Sequence, residues 1–163
     1  MRTVLLGLAL VVLVLDQATK VWALSSLTPG EKVDLVGSAI SLNLIRNPGA
    51  AFSIGDGATW ILTAVSIVIL VWVVFAAHKV GTMAWAVALG LLLGGALGNL
   101  GDRFFREPGP GRGHVVDFID YFGWFVGNVA DIAIVVGAAI IMALAYRGTP
   151  VAGPPHRPEH ADV

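Results

Sequence analysis

The chain has 163 residues, of which 56% are hydrophobic and only 13% are charged, with a net charge of −1 and a mean hydropathy of +0.82. A soluble domain carries about twice this share of charged residues, so the composition excludes an ordinary water-soluble enzyme and a disordered chain. The charge offers no basic surface to nucleic acid. The absence of cysteine excludes a disulfide scaffold, a thiolate zinc site, a cysteine nucleophile and lipid attachment to cysteine.

Four apolar stretches are long enough to cross a bilayer, which takes about 20 residues. We predict transmembrane helices over about 3–24, 58–77, 82–100 and 126–146. The connection over 78–81 has room only for a turn, so the second and third helices form an antiparallel hairpin. The sequence therefore predicts an all-α membrane protein with one four-helix domain over residues 1–146.

The first apolar stretch has the layout of a secretory signal peptide, since Met1 and Arg2 precede a long hydrophobic block. No small-x-small cleavage site follows the block; the chain continues through Asp16 and Lys20 instead. We therefore expect this stretch to be a membrane helix. Asp16 and Lys20 are four residues apart on one helical face, which predicts a local ion pair.

The polar connections differ in their predicted structure. Residues 31–54 partly alternate between apolar and polar side chains and contain the turn signal Asn-Pro-Gly at 47–49, which favours a small β-sheet on the membrane surface. Residues 106–113 (Arg-Glu-Pro-Gly-Pro-Gly-Arg-Gly) predict a flexible loop. The polar tail over 147–163 is rich in Pro and His and predicts disorder.

An even number of spans places both ends of the domain on the same side of the membrane as the 78–81 turn. The cations of that side are Arg2, Lys79, Arg147 and Arg157. The cations of the opposite side are Lys20, Lys32, Arg46, Arg103, Arg106 and Arg112. Because cytoplasmic loops normally carry the excess of Lys and Arg, this count does not settle the topology.

Ionisable side chains at membrane depth are expensive and are therefore candidates for function. Asp131 lies in the first turns of the fourth apolar stretch, where it is either a functional acid or an acid stabilised by the helix dipole. Asp117, within the apolar run 114–121, is either a functional acid or part of the polar face of an amphipathic interfacial segment. For Asp120, beside Tyr121, we predict a solvent-facing position.

The third apolar stretch ends in Asp102 and Arg103 and carries Gly90, Gly94 and Gly98 at four-residue spacing. Small residues at this spacing let a second helix approach closely, so we predict that the glycines serve packing. Asp102 and Arg103 form either an interfacial ion pair or part of a site.

The residue types present favour paired carboxylates over other hydrolytic mechanisms. The sequence has no G-x-S-x-G motif and no H-E-x-x-H motif, and His114 with Asp117 supplies at most two of three zinc ligands. Two carboxylates about 4 Å apart repel by about 4 kcal/mol at an effective dielectric near 20, so they hold one shared proton near neutral pH. The ionised member can accept a proton from water while the protonated member polarises a carbonyl.

Four ordered sequence blocks point to a known family. They are residues 16–20 (Asp-Gln-Ala-Thr-Lys), 47–53 (Asn-Pro-Gly-Ala-Ala-Phe-Ser), 94–103 (Gly-Gly-Ala-Leu-Gly-Asn-Leu-Gly-Asp-Arg), and 115–118 (Val-Val-Asp-Phe) followed by 128–131 (Asn-Val-Ala-Asp). In this order, between four apolar stretches, the chain resembles the bacterial lipoprotein signal peptidases (signal peptidase II, prolipoprotein signal peptidase).

The resemblance implies an intramembrane aspartyl endopeptidase of the bacterial inner membrane, with a small extracytoplasmic β-cradle and a short surface helix beside its four transmembrane helices. Its termini would be cytoplasmic and its active site would face the extracytoplasmic side. It would cleave before the diacylglyceryl-modified cysteine of prolipoproteins, contact membrane lipids, bind the inhibitor globomycin, act as a monomer, and use no metal or other cofactor.

The resemblance also implies roles for individual residues of this sequence. The catalytic pair would be Asp117 and Asp131. The substrate-binding residues would be Asn47, Asn99, Arg103 and Asn128. The supporting residues would be Asp16, Lys20, Gly49 and Asp102.

The sequence departs from the family pattern at two glycines. Gly127 stands where Phe is usual before Asn128, and Gly101 stands where a bulky apolar residue is usual before Asp102. Both departures remove packing volume close to the acids.

Two hypotheses from other classes stay open on the residues alone. A small proton- or cation-conducting membrane protein could use the same acids as relay groups, and it would show ion flux without cleavage. A helical assembly module could form on the glycine face, but it would leave the Asn and Arg residues of the polar loops unexplained.

Overall fold

The computed structural model describes residues 1–49 and 59–152. The helices are α1 (Arg2–Ser26), α2 (Thr59–Ala77), α3 (Met83–Phe105) and α4 (Val129–Tyr146), and the strands are β1 (Lys32–Val36), β2 (Ile40–Asn47), β3 (Val115–Tyr121) and β4 (Phe125–Gly127). All four helices are long and apolar enough to cross a membrane. The predicted four-helix membrane fold with a small sheet is confirmed.

The helix ends follow local sequence signals. α3 begins after Thr82, whose hydroxyl accepts a hydrogen bond from the backbone N–H of Trp85, and it runs on to Phe105, past the predicted end at 100. α4 begins at Val129 because Asn128 caps it and Asp131 completes a capping box. The residues before this cap, predicted as helix from 126, form the end of β4 instead.

The four strands form one antiparallel sheet in the order β1-β2-β3-β4. The predicted sheet accounts for β1 and β2. For the segment of β3, one of the two predictions is an amphipathic interfacial segment, but the structure makes it an inner strand of the sheet that is buried nearly throughout. The short surface helix does not occur within residues 1–49 and 59–152. Positions 50–54 of the predicted cradle, position 58 of the second span and positions 153–163 of the tail lie outside the described residues.

The loop over 106–113 has neither helix nor strand, as predicted, but it is hydrogen-bonded to its surroundings. The Gly113 N–H donates to the Arg103 carbonyl at 3.0 Å, and the His114 N–H donates to the Glu107 carbonyl at 3.0 Å. From α2, the Thr63 hydroxyl donates to the Gly111 carbonyl at 2.7 Å. These bonds hold the loop over the end of α3.

Both described ends of the chain lie at the α2–α3 turn, at the opposite end of the bundle from the sheet. The Arg2 guanidinium donates to the His78 carbonyl at 2.6 Å, and the Gly81 N–H donates to the Val151 carbonyl at 2.8 Å. The helices therefore have an up-down-up-down arrangement, as an even number of spans requires.

The glycines of α3 bring the helices into close contact. A Cβ on Gly90 would lie 2.9 Å from the Leu5 carbonyl oxygen, a Cβ on Gly94 would lie 2.6 Å from the Ala9 carbonyl oxygen, and a Cβ on Gly98 would meet the Asp16 carboxylate. The glycine face of α3, which the four-residue spacing predicted to serve packing, thus lies against α1.

Replacing Gly94 with alanine is expected to lower the melting temperature in detergent by about 5 °C. The new methyl group would lie 2.6 Å from the Ala9 carbonyl oxygen and 2.7 Å from Val12 Cβ, and overpacking of this kind costs about 1–3 kcal/mol. Gly101→Ala on the same helix is the control, because its nearest neighbour is 4.0 Å away and alanine favours helix. Equal melting temperatures for the two variants would contradict the packing role.

Candidate active site

Asp117 and Asp131 come from different elements and meet at one residue, Asn128. Asp117 lies in the middle of β3 and Asp131 in the first turn of α4, and the chain between them folds back as the β3–β4 hairpin. The Asn128 side-chain N–H donates to Asp117 Oδ1 at 2.6 Å. The Asn128 backbone N–H donates to Asp131 Oδ2 at 3.0 Å. The cap of α4 therefore bonds both carboxylates.

Each carboxylate accepts a further hydrogen bond from an asparagine amide. Asn47 Nδ2 donates to Asp117 Oδ2 at 2.8 Å, and Asn99 Nδ2 donates to Asp131 Oδ1 at 2.8 Å. Asn128 Nδ2 also lies 3.2 Å from Asn99 Oδ1. The three asparagines predicted as substrate-binding thus bond the two acids in this structure.

The protonation equilibrium of Asp117 lies close to neutral pH. Burial, which leaves only 2% of the residue exposed, is the main cause that raises the pKa of Asp117 from 3.8 to about 6. Hydrogen bonds from Asn47 and Asn128 oppose the rise, and the charge of Asp131 adds to it. A carboxyl group with a pKa raised in this way can hold a proton and release it near neutral pH.

Behind the asparagines lies a buried cluster of charges centred on Lys20. Its ammonium group is 2.9 Å from Asp16 Oδ2, 2.8 Å from Asp102 Oδ2 and 3.0 Å from Asn99 Oδ1. The Lys20, Asp16 and Asp102 side chains are fully buried. The prediction of a local Asp16–Lys20 pair was too narrow, because Asp102 approaches from α3.

The two acids of this cluster also bond the backbone next to Asp131 and Asp117. Asp16 Oδ1 accepts from the backbone N–H of Ala130 at 3.0 Å. Asp102 Oδ2 accepts from the backbone N–H of Val116 at 3.2 Å. One ion cluster therefore fixes the backbone on both sides of the candidate site.

Asp102 and Arg103 have different partners and do not pair with each other. Of the two interpretations, the interfacial ion pair is therefore wrong. Besides Lys20, Asp102 pairs with Arg106 at 2.5 Å. The Arg103 guanidinium donates to the carbonyls of Pro48 and Gly113, both at 3.2 Å. Arg103 thus fastens the turn after β2 to the loop after α3.

Gly49 lies in that turn and orients Asn47. Its φ of +109° is in the region that favours glycine, and a Cβ at Gly49 would collide with Leu62. The Gly49 N–H donates to Asn47 Oδ1 at 2.7 Å. This bond leaves the NH₂ group of Asn47 facing Asp117.

Asp120 is buried, so the prediction of a solvent-facing position was wrong. Only 1% of it is exposed, and its carboxylate accepts from Lys32 at 2.6 Å, from the Gly123 backbone N–H at 2.8 Å and from Asn43 at 3.4 Å. The hydrogen bond from Lys32 is the main cause that holds the pKa of Asp120 below its ordinary value.

An apolar cavity of about 790 Å³ opens beside Asp131, between the sheet and α4. Its lining includes Ile119, Tyr121 and Phe125 from the hairpin and Ile132 from α4. The sequence analysis did not predict the β3–β4 hairpin that lines this cavity, because β4 lies where the fourth transmembrane helix was expected to begin. The available signal was Gly123, a turn residue between two aromatic-rich runs.

The two family departures have different local consequences. At Gly127, the Phe125 ring fills the space, since a Cβ there would lie 2.7 Å from that ring and 2.9 Å from Asp131 Oδ2. At Gly101, only Gln17 comes within 4.0 Å, and an apolar groove of about 580 Å³ lies there between α1 and α3. The Phe125 ring therefore occupies the space that a side chain at position 127 would fill, whereas the space beside Gly101 stays open.

Within residues 1–49 and 59–152, no three His, Asp or Glu side chains converge as metal ligands. The groups that do converge are two carboxylates with amide donors, next to an apolar cavity. This arrangement suits proton transfer to and from a substrate that has a polar reacting group and an apolar portion.

Comparison with known proteins gives consistent matches over most of the chain. The family model of Signal peptidase (SPase) II matches residues 8–147. A lipoprotein signal peptidase of Rhodococcus jostii is 49% identical over 147 residues, which is 90% of this chain and 74% of the relative. Another, of Mycolicibacterium smegmatis, is 49% identical over 144 residues, and the match covers 88% of this chain but 61% of that relative's length.

Two solved structures described as bacterial membrane enzymes have the same fold. They superpose with TM-scores of 0.77 and 0.75, each at 28% sequence identity. Each match covers 89% of this chain, and the matches cover 88% and 94% of the solved chains.

Proposed function

The chain belongs to the signal peptidase II family, and from this premise we propose that it removes signal peptides from bacterial prolipoproteins. The bond cleaved is the one before the diacylglyceryl-modified cysteine. The observation that carries the proposal is that Asp117 and Asp131 both bond Asn128. We take these two acids as the catalytic pair.

Hydrolysis by this pair requires one ionised and one protonated carboxyl group. The ionised group accepts a proton from water as the water oxygen attacks the scissile carbonyl carbon, and the protonated group gives its proton to the carbonyl oxygen. The tetrahedral intermediate then breaks at the C–N bond. The leaving nitrogen receives the proton taken from water, and the second carboxyl group takes back its own proton.

The surrounding amides keep the pair ready for this exchange without taking part in it. Asn47 and Asn99 each donate to one carboxylate, and neither amide titrates at physiological pH. Since Lys20 and Asn128 both donate to Asn99 Oδ1, the NH₂ group of Asn99 must face Asp131. The carboxylate oxygens are therefore held in fixed directions before substrate arrives.

The substrate and the surroundings follow from the same proposal. The cavity of about 790 Å³ beside Asp131 suits an apolar part of the lipidated substrate, and Arg103 and the asparagines contact its polar groups. The sheet lies on the extracytoplasmic side of the inner membrane and the described chain ends lie on the cytoplasmic side. The protein acts as a monomer without a metal, and globomycin competes with the substrate.

The test is a gel-shift assay with a diacylglyceryl-modified precursor and the purified protein in nanodiscs. We expect conversion of the lipidated precursor, inhibition by globomycin, and full activity in EDTA. The unmodified precursor is the control and should stay uncut. Equal cleavage of both precursors would contradict the substrate proposal, and loss of activity in EDTA with rescue by zinc would contradict the metal-free mechanism.

The ion-conducting hypothesis fits the distribution of charge less well. The buried acids cluster at the sheet end of the bundle, around Asn128 and Lys20. Toward the other end, the described core is apolar and includes Leu5, Leu89 and Leu144. A relay would need ionisable groups along the whole path.

Activity is expected to be bell-shaped in pH, with two apparent pKa values that belong to the pair. Because the Asn47 hydrogen bond lowers the pKa of Asp117, Asn47→Ala should move one limb of the kcat/KM profile to higher pH. It should also lower kcat/KM by about tenfold, through loss of a charge-assisted hydrogen bond of about 1.5 kcal/mol. Asn43→Ala is the control, because the Asn43 amide donates to Asp120 and not to Asp117. It should leave both limbs of the pH profile in place.

A further inference from the structure

The tip of the β3–β4 hairpin presents large aromatic side chains to the outside. Trp124 is 93% exposed and Phe122 is 65% exposed, and their rings are 6.4 Å apart. Phe125, the first residue of β4, is half-exposed and stacks on Tyr121 at 6.2 Å. Neighbouring exposed rings form an apolar patch, and exposed apolar patches mark protein or membrane interaction sites.

The turn that carries these rings has an unfavourable sequence for its backbone. Phe122 has a φ of +57° and Gly123 a φ of +73°, a conformation for which Asn-Gly or Gly-Gly is the usual choice. A bulky residue with left-handed φ costs about 1–2 kcal/mol. The phenylalanine is therefore not explained by the needs of the turn.

Hydrogen bonds hold the tip rigidly against the rest of the sheet. The Gly123 N–H donates to the buried Asp120 carboxylate at 2.8 Å, and Lys32 bonds the same carboxylate at 2.6 Å. The Phe122 N–H donates to the carbonyl of Ala39, in the β1–β2 turn, at 3.0 Å. The rings are thus presented on a fixed platform, and Asp120 acquires a role outside the catalytic pair.

The position of the hairpin relative to the membrane follows from the length of α4. This helix has 18 residues and is about 27 Å long, close to the hydrocarbon thickness of about 30 Å. Its first residues, which follow β4 after Asn128 alone, therefore lie near the membrane boundary. The hairpin faces the same side as the outer surface of α4, since Tyr121 and Phe125 share a cavity with the exposed residues Val135 and Val136.

We infer that Phe122 and Trp124 anchor the hairpin in the bilayer interface, with lipid as the partner of this surface. Trp prefers the headgroup level, where its ring is shielded and its indole N–H is hydrated, and the apolar ring of Phe122 gains by leaving water at the same depth. Lys32, half-exposed beside Gly123, can reach a lipid phosphate from this position. The anchor keeps the hairpin wall of the cavity in contact with lipid.

The test measures the depth of the hairpin tip in the bilayer. Because the chain has no cysteine, a label attached to one introduced cysteine reports on that position alone. A spin label is attached to Phe122→Cys in vesicles of phosphatidylcholine and phosphatidylglycerol, and its collisions with oxygen and with a water-soluble nickel complex are compared. Val135→Cys, on the outer surface of α4, gives the lipid reference. Glu107→Cys, in the exposed loop after α3, gives the water reference.

We expect the label at position 122 to collide with oxygen as a group at the interface does, and about fivefold less with nickel than the label at 107. Adding Trp124→Ser should raise the nickel collisions, whereas Trp60→Ser, which removes an exposed tryptophan of α2, should not. Nickel access at 122 equal to that at 107 would overturn the inference and leave the tip as a water-facing surface for a protein partner. The first measurement retains Trp124, so its outcome does not depend on the folding of the serine variant.

Discussion

Asp117→Asn and Asp131→Asn are each expected to reduce kcat for cleavage of a lipidated precursor by about 10³-fold or more. An amide can neither accept a proton from water nor donate one to a carbonyl oxygen at neutral pH. General acid–base catalysis by one such group contributes about 10² to 10⁴, and each group of the pair depends on the other. The measurement is single-turnover conversion at saturating enzyme, which separates the chemical step from binding.

Both variants are also expected to lose some stability. At position 117, both carboxylate oxygens accept from amide donors. At position 131, one oxygen accepts from the Asn99 amide and the other from the Asn128 backbone N–H. An asparagine at either position places its NH₂ group against a donor, so we expect each variant to lose about 1–3 kcal/mol of stability.

Two comparisons separate catalysis from charge and folding. Asp34→Asn removes an exposed acid from β1 and should cleave at the normal rate. The double variant Asp117→Asn/Asp131→Asn should be no slower than the worse single variant, because residues acting as a unit are not additive. Normal cleavage by either folded single variant would remove the pair from the mechanism.

The helices could be read from the sequence because a bilayer imposes a simple length rule. Each span requires a long apolar stretch, and the helices of the structure begin and end near the predicted positions. The end of α3 was missed because Gly101, Asp102 and Arg103 do not look apolar. They continue the helix since the Asp102 and Arg103 side chains find buried partners, which hydropathy does not register.

The strands after α3 could not be read in the same way. β3 is buried nearly throughout, so its side chains do not alternate between apolar and polar, and a short apolar run does not distinguish strand from helix. The burial of Asp120 was missed for a related reason. Its partner Lys32 lies on β1, far away in the sequence, and only strand pairing brings the two together.

The candidate site shows the same division between local and distant information. The Asp16–Lys20 pair follows from helical spacing, but the approach of Asp102 depends on how α3 packs against α1. The residues alone left several acids as candidates. The choice of Asp117 and Asp131 came from the family resemblance, and their common contact with Asn128 depends on a hairpin that the apolar pattern does not predict.

Lys20→Met is expected to destabilise the protein by about 3–5 kcal/mol, the cost of leaving buried charges without their partner. Lys20 is the cation between Asp16 and Asp102, and all three side chains are fully buried. Removing it leaves the Asp16 and Asp102 carboxylates facing each other between α1 and α3, although Arg106 still pairs with Asp102. The melting temperature in detergent should fall by about 10 °C.

The same substitution should disturb the site, because the cluster fixes the backbone at Ala130 and Val116. Lys79→Met, in the exposed α2–α3 turn, is the matched control and should change the melting temperature by less than about 2 °C. Lys20→Met/Asp16→Asn, which also removes the acid that has lost its ion pair with Lys20, should recover part of the loss. If Lys20→Met melts with the native protein, the buried cluster does not hold the bundle together. If it melts early and the double variant melts earlier still, repulsion between the two acids is not the cause.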